Sequence, residues 1–347
     1  MDSFLSSVFS KPITYRNLVF KGGGIRGIAY IGALEVIEER GILPGIERVA
    51  GTSAGAISAF LVSLRLPVSK ILERFSTLDF RKIPQASTRK KKFPFSLSDS
   101  LPISLPVHLP VDLPSEEEKL YRMIRSYGLY SSSYFYQWLR SVVADYCDGN
   151  ANATFADFHE RGFRDLYIVV ANLNKHQGEI MSYRDTPQVC VADAVRMSMS
   201  IPLYFEALRF DGLKFGKGDY YVDGGVYNNY PIKIFDQPPY IKAADLRRSK
   251  GNPETLGMFL YPESDLKIIK KENPRNLMDY LGIVISNLYT SYETIQYENS
   301  FIDQHRTIAI SDCGILSTDF SIVKGDEKYT RLQDSGRKAA RTFLEER

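Results

Sequence analysis

Apolar residues fall into short unbroken runs and regularly spaced stripes that alternate along this chain. Leu18-Val19-Phe20 is a run, and Gly22-Gly23-Gly24 closes it. Over residues 28–40 the apolar positions Ile28, Ile31, Leu34 and Ile37 recur every third residue, which predicts an amphipathic helix. Gly41 suits its C-terminal cap. The plan then repeats: 46–50 reads as a strand, 51–55 as a sharp turn, and a helix follows from Ala56 until Pro67 ends it. Two successive strand–turn–helix units predict an α/β fold, with parallel strands covered by helices.

Residues 81–114 break this pattern. Arg89-Lys90-Lys91-Lys92 leads into Phe93-Pro94-Phe95, and from Leu101 a four-residue repeat runs LPIS, LPVH, LPVD, LP. Its prolines lack amide protons and disfavour helix in the residue before them, so an irregular or polyproline-like insertion is expected. Helical signals resume near Glu116 and over 134–143. Residues 165–172 (DLYIVVAN) read as a buried strand, and 192–200 as a short helix stopped before Pro202. Residues 205–221 read as hairpins with a turn at Asp211-Gly212. Strands are expected at 255–261 and 307–310, and helices at 277–295 and 329–346. No linker interrupts the chain, so one domain with a C-terminal extension is expected.

Composition narrows the class. A hydrophobic content of 44% and a charged content of 24% belong to a folded protein with a sizeable core. With 44 basic against 41 acidic residues there is no basic excess of the kind that nucleic-acid binding needs. Cys147, Cys190 and Cys313 are odd in number and far apart, which suits free thiols in a reducing compartment. The N-terminus lacks the basic start and unbroken apolar core of a signal peptide. No apolar run is long enough to span a bilayer.

Three glycine-bearing motifs carry the chemistry. Gly51-Thr52-Ser53-Ala54-Gly55 fits G-x-S-x-G, a nucleophile elbow between strand and helix, where side chains beside the serine would collide. The elbow puts Ser53 at a helix N-terminus, whose free amides favour developing negative charge. A tight structural turn is the plainer reading of the same string. Gly22, Gly24 and Gly27 also fit the dinucleotide fingerprint G-x-G-x-x-G. That fold needs an acidic residue ending the next strand, where this chain has Ala50-Gly51 and carries Glu47 only at the strand's start. No Gly-Lys-Ser/Thr follows, so a P-loop is excluded. In a hydrolase the amides near Gly23 and Gly24 would face an oxyanion, with Arg26 either adding positive charge or lying solvated at the surface. Asp223-Gly224-Gly225 ends an apolar strand at Val222, a place that can hold a carboxylate at a sheet edge.

GGGIRG, GTSAG and DGG, in this order, resemble the patatin-like phospholipase family. Segments 169–174, 192–205 and 223–232 add to the resemblance, which covers residues 17–236. It implies a three-layer α/β/α fold with a mostly parallel sheet, a variant of the α/β-hydrolase type; residues 237–347, which it does not cover, are expected as an extension packed on the same domain. It implies Ser53 as nucleophile, Asp223 as dyad partner, and Gly22, Gly23, Gly24, Arg26 and Gly27 as the oxyanion loop. Gly51 and Gly55 shape the elbow, and Gly224 and Gly225 the acid motif. The activity implied is hydrolysis of membrane-lipid carboxylic esters, of the phospholipase A or lysophospholipase type, without cofactor or metal. Glycerophospholipids or lysophospholipids are the implied substrates, and an activating protein or small ligand is an implied partner. The location to expect is the cytosol, of its own cell or of one it is delivered into, with transient membrane contact.

An aspartate near pKa 3.9 is a poor base for a hydroxyl unless burial raises it or the loop stabilises charge as it forms. Two other readings stand beside the dyad. In a Ser-Asp-His hydrolase only His305 follows the acid in the chain, since His108, His159 and His176 precede it. The other is an inactive binding protein on the same fold. The basic run 89–92 with Phe93 and Phe95 reads as a disordered solvated loop, a membrane-docking site or a lid.

Overall fold

The computed structural model of the chain describes residues 14–83, 116–262, 280 and 297–346. The basic run, the proline repeat with His108, and the helix expected at 277–295, apart from Tyr280, lie outside these residues. The larger sheet contains β1 (Asn17–Phe20), β2 (Arg48–Thr52), β4 (Asp165–Asn172), β5 (Gln177–Ser182), β7 (Leu208–Phe210), β8 (Asp219–Asp223), β9 (Thr255–Tyr261) and β10 (Thr307–Ser311). A separate pair joins β3 (Gly128–Tyr130) to β6 (Leu203–Phe205). The strand order is β10-β9-β1-β2-β4-β8-β7, with β5 on β4. From β10 to β4 all pairs are parallel, whereas β5, β7 and β8 run antiparallel to their neighbours.

The two expected strand–turn–helix units are present, as β1 with helix Ile28–Glu39 and β2 with helix Ala54–Ser63. Side chains alternate across the sheet as strand geometry requires. Leu18, Phe20, Val49, Ile168 and Met258 enter the main core, which is covered by those two helices, Val191–Ser198 and Glu327–Glu345. Val19, Ala50, Tyr167 and Phe259 face the other way, onto the short turn Ile232–Phe235 and Tyr240. The sheet is thus mostly parallel and flanked by helices. Its interior strands are buried on both faces, which is why they read as plain apolar runs.

Residues 237–347, expected to pack on the domain as an extension, contribute β9 and β10 to its sheet. β9 lies directly against β1, with Asn17 opposite Thr255 and Phe20 opposite Met258. Arg306 pins this half in place: its guanidinium bonds Asp236 at 2.6 and 2.7 Å and Asp303 at 2.6 Å, with only 1% of the side chain exposed. The helix Glu327–Glu345 crosses Ile28–Glu39 with backbones in contact. A Cβ on Gly336 would strike the carbonyl oxygen of Ala29, and one on Gly32 that of Gln333.

Candidate active site

β2 ends at Thr52 and the next helix begins at Ala54, so Ser53 alone makes the turn. Its φ of 54° with ψ −125° is a conformation that side chains disfavour. The turn is possible because its neighbours lack side chains. A Cβ on Gly51 would collide with the carbonyl of Gly55, and one on Gly55 with the backbone of Phe20 and Lys21. G-x-S-x-G is here a steric requirement. The amide of Ser53 donates to Ser198 Oγ at 3.0 Å, which donates in turn to the Val169 carbonyl at 2.6 Å. The elbow is fastened to β4 through that serine.

Sheet register brings Asp223 to the same height as Ser53. Thr52 pairs with Val169 and Val170 with Asp223, while β5 occupies the other edge of β4, so β2 and β8 follow one another along a single edge and bring Ser53 and Asp223 together where they meet. The sequence places Asp223 correctly at a strand end, but that strand runs antiparallel and descends into the sheet. The carboxyl is buried, with Oδ1 accepting from the Gly225 amide at 2.7 Å. Burial pushes its pKa up to about 7, against the lowering effects of a hydrogen bond from the Ser53 side chain and of the Gly225 amide. Oδ2 is buried and makes no hydrogen bond of ordinary length and angle. The Ser53–Asp223 contact is therefore looser than a normal hydrogen bond, as resting catalytic pairs often are.

The glycine loop leaves β1 beside this pair. A Cβ on Gly22 would lie 3.1 Å from the Ser53 Cβ, and one on Gly27 3.2 Å from that of Ala54. Gly24 has a φ of 59° and packs so closely on the Ser317 carbonyl that no side chain fits. The Gly22 amide donates to Asn229 O at 2.9 Å and the Ile25 amide to Ser317 O at 3.0 Å. Among the described residues, the Gly23 and Gly24 amides have no such acceptor. Gly224 and Gly225 form the tight turn after Asp223. Arg26 is not a solvated surface residue: its guanidinium bonds Asp312 at 2.8 Å and the Gly23 carbonyl at 3.0 Å.

His305 is not brought to this site. It precedes β10, three strands from β2, and the register of β10 on β9 and β9 on β1 sets it several residues lower than Ser53. Its Nδ1 pairs with the Phe301 carbonyl at 2.8 Å. Three contributors escaped the sequence. Ser198 and Asn229 lie within segments flagged only by resemblance, and nothing in the sequence marks Asp312.

Ser53 borders a narrow apolar pocket. Ile57, Phe75, Phe80, Met199, Phe205 and Phe320 line it, a surface for hydrocarbon. No helix among the described residues is long and apolar enough to cross a membrane.

What the sheet and its pocket define is an α/β protein with a strained serine and a buried carboxyl beside an apolar pocket. Comparison with known proteins narrows the class to a family. The model for patatin-like phospholipase matches residues 18–236, and the chain belongs to that family. It is 26% identical to protein YqhO of Bacillus subtilis over 339 residues, covering 96% of this chain and 99% of that protein. It is also 26% identical to protein R571 of Acanthamoeba polyphaga mimivirus, covering 90% and 89% of the two chains. A relative from Invertebrate iridescent virus 6, named a probable lipid hydrolase, is 24% identical over 65% of this chain and 64% of its own length. Among solved structures, VipD from Legionella pneumophila shares the fold with a TM-score of 0.56 at 17% identity, over 96% of this chain and 67% of that one.

Proposed function

We propose that this protein hydrolyses carboxylic esters of membrane lipids through a Ser53–Asp223 dyad. One observation carries the reading: a buried carboxyl with a pKa near 7 stands beside a strained serine at the mouth of an apolar pocket. An aspartate at its ordinary pKa would be protonated by a hydroxyl only at high cost. Raising that pKa by about 3 units recovers roughly 4 kcal/mol of the mismatch.

In the proposed sequence Ser53 Oγ attacks the ester carbonyl while Asp223 Oδ2 takes the hydroxyl proton. The carbonyl oxygen becomes an oxyanion facing the Gly23 and Gly24 amides, each such donor being worth about 3 kcal/mol. Asp223 gives the proton to the departing alcohol, leaving an acyl-serine. Water then attacks that ester, Asp223 accepts the water's proton, and Ser53 regains its hydrogen as the fatty acid leaves. The apolar pocket takes the acyl chain, and the family supports glycerophospholipid or lysophospholipid as substrate. An activating protein or small ligand belongs to the same proposal.

Hydrolysis of a lipid panel tests it, run with and without cell extract. Ser53→Ala and Asp223→Asn should each lose at least about a thousandfold in kcat, and to a similar degree, since dyad members act as a unit. His305→Ala should retain full activity. Near-wild-type turnover in Asp223→Asn would remove the dyad, and loss in His305→Ala would restore the triad.

A further inference from the structure

The family match ends at residue 236, yet the glycine loop is held by a segment more than seventy residues further on. Arg26 Nη1 donates to Asp312 Oδ2 at 2.8 Å, with side chains only 17% and 9% exposed. Ser317, five residues on, accepts the Ile25 amide and fills the space against Gly24. Phe320 then enters the wall of the pocket at Ser53, its ring 5.6 Å from that of Tyr204. Asp312 is itself anchored, its amide donating to Tyr261 O at 2.9 Å and its Oδ1 accepting from Gly314 at 3.0 Å.

A run of glycines has no side chains with which to fix its own peptide planes, yet an oxyanion donor works only when well aimed. Arg26 Nε donates to the Gly23 carbonyl at 3.0 Å. That carbonyl and the Gly24 amide belong to one planar trans peptide, so they point in opposite directions. Fixing the first on Arg26 turns the second away from it. The orientation of Arg26 rests in turn on Asp312.

We propose that segment 312–320 is a working strap of the active site: Asp312, acting through Arg26, is a positioning residue that aims the Gly24 amide, and Phe320 sets the acyl length the pocket accepts. This rests on the hydrolase reading above. A chain-length series of p-nitrophenyl esters, butyrate to palmitate, tests it on the full chain. Asp312→Asn should lower kcat about tenfold to a hundredfold on every ester, with KM changed less than about threefold, because a misaimed donor weakens the transition state and not ground-state binding. Asp312→Glu should recover most of the loss, and both should melt near the wild-type temperature. Phe320→Ala should raise the palmitate-to-butyrate ratio of kcat/KM by about fivefold or more, and Phe320→Trp should lower it. Wild-type kcat in Asp312→Asn, a loss seen only in KM, or an unmoved chain-length ratio in both Phe320 variants would overturn the strap. If the wild type hydrolyses these esters no faster than Ser53→Ala with cell extract present as well as without it, the hydrolase reading falls with it.

Discussion

Burying Asp223 raises the affinity of its carboxyl for a proton, and that one free energy acts on both activity and stability. Below the unfolded pKa near 3.8 both states hold the proton. Between there and about 7 the folded state keeps a proton that the unfolded state has lost, so stability falls as pH rises; above 7 folding buries a full charge. Asp223→Asn should therefore be more stable than wild type at alkaline pH, by roughly 4 kcal/mol at most, with the gain vanishing near pH 4. Urea denaturation at the two pH values would show it, and an equal gain at both would contradict the assignment. Ser53 carries strain of another kind. Ser53→Gly should abolish activity yet stabilise the fold by about 1 kcal/mol, because glycine tolerates a φ of 54°. The serine was legible in the sequence because its geometry demands two bare neighbours. Ser198 was not, since a lone serine that fastens an elbow 145 residues away leaves no local pattern.

Elements buried on both faces were the easiest to foresee. β4 and β9 appear at the residues their apolar runs predict, and β1, β2 and β10 lie within a residue or two. The edge strand β5 was missed because its first half is solvent-exposed and polar, so no apolar run announces it. The antiparallel direction of β8 was equally hidden, because strand direction follows from tertiary pairing. Between elements, Arg306 ties Asp236 to Asp303 in a largely buried cluster. Arg306→Leu leaves Asp236 and Asp303 buried without their cation, and should cost about 3–5 kcal/mol. A change under 1 kcal/mol in urea unfolding would show that water enters and compensates.

Across the whole molecule, strand order was the part no local pattern could reveal. β1 sits between β2, about thirty residues on, and β9, whose Thr255 pairs with Asn17 across 238 positions. A chain cut at residue 236 would expose one edge of β1 and the helix face that Glu327–Glu345 covers, together with the loop held by Asp312 and Ser317. Such a fragment should lack cooperative unfolding and all hydrolytic activity; a soluble, cooperatively melting, active fragment would refute this dependence. The account as a whole turns on a serine activated by a carboxylate that titrates near neutrality. Its most direct measurement is the rate at which a fluorophosphonate modifies Ser53, followed by mass spectrometry from mildly acidic to mildly alkaline pH. The predicted result is an adduct on Ser53 whose rate rises through an inflection near 7 and collapses in Asp223→Asn. An adduct elsewhere, or a rate on Ser53 that ignores both pH and Asp223, would contradict it.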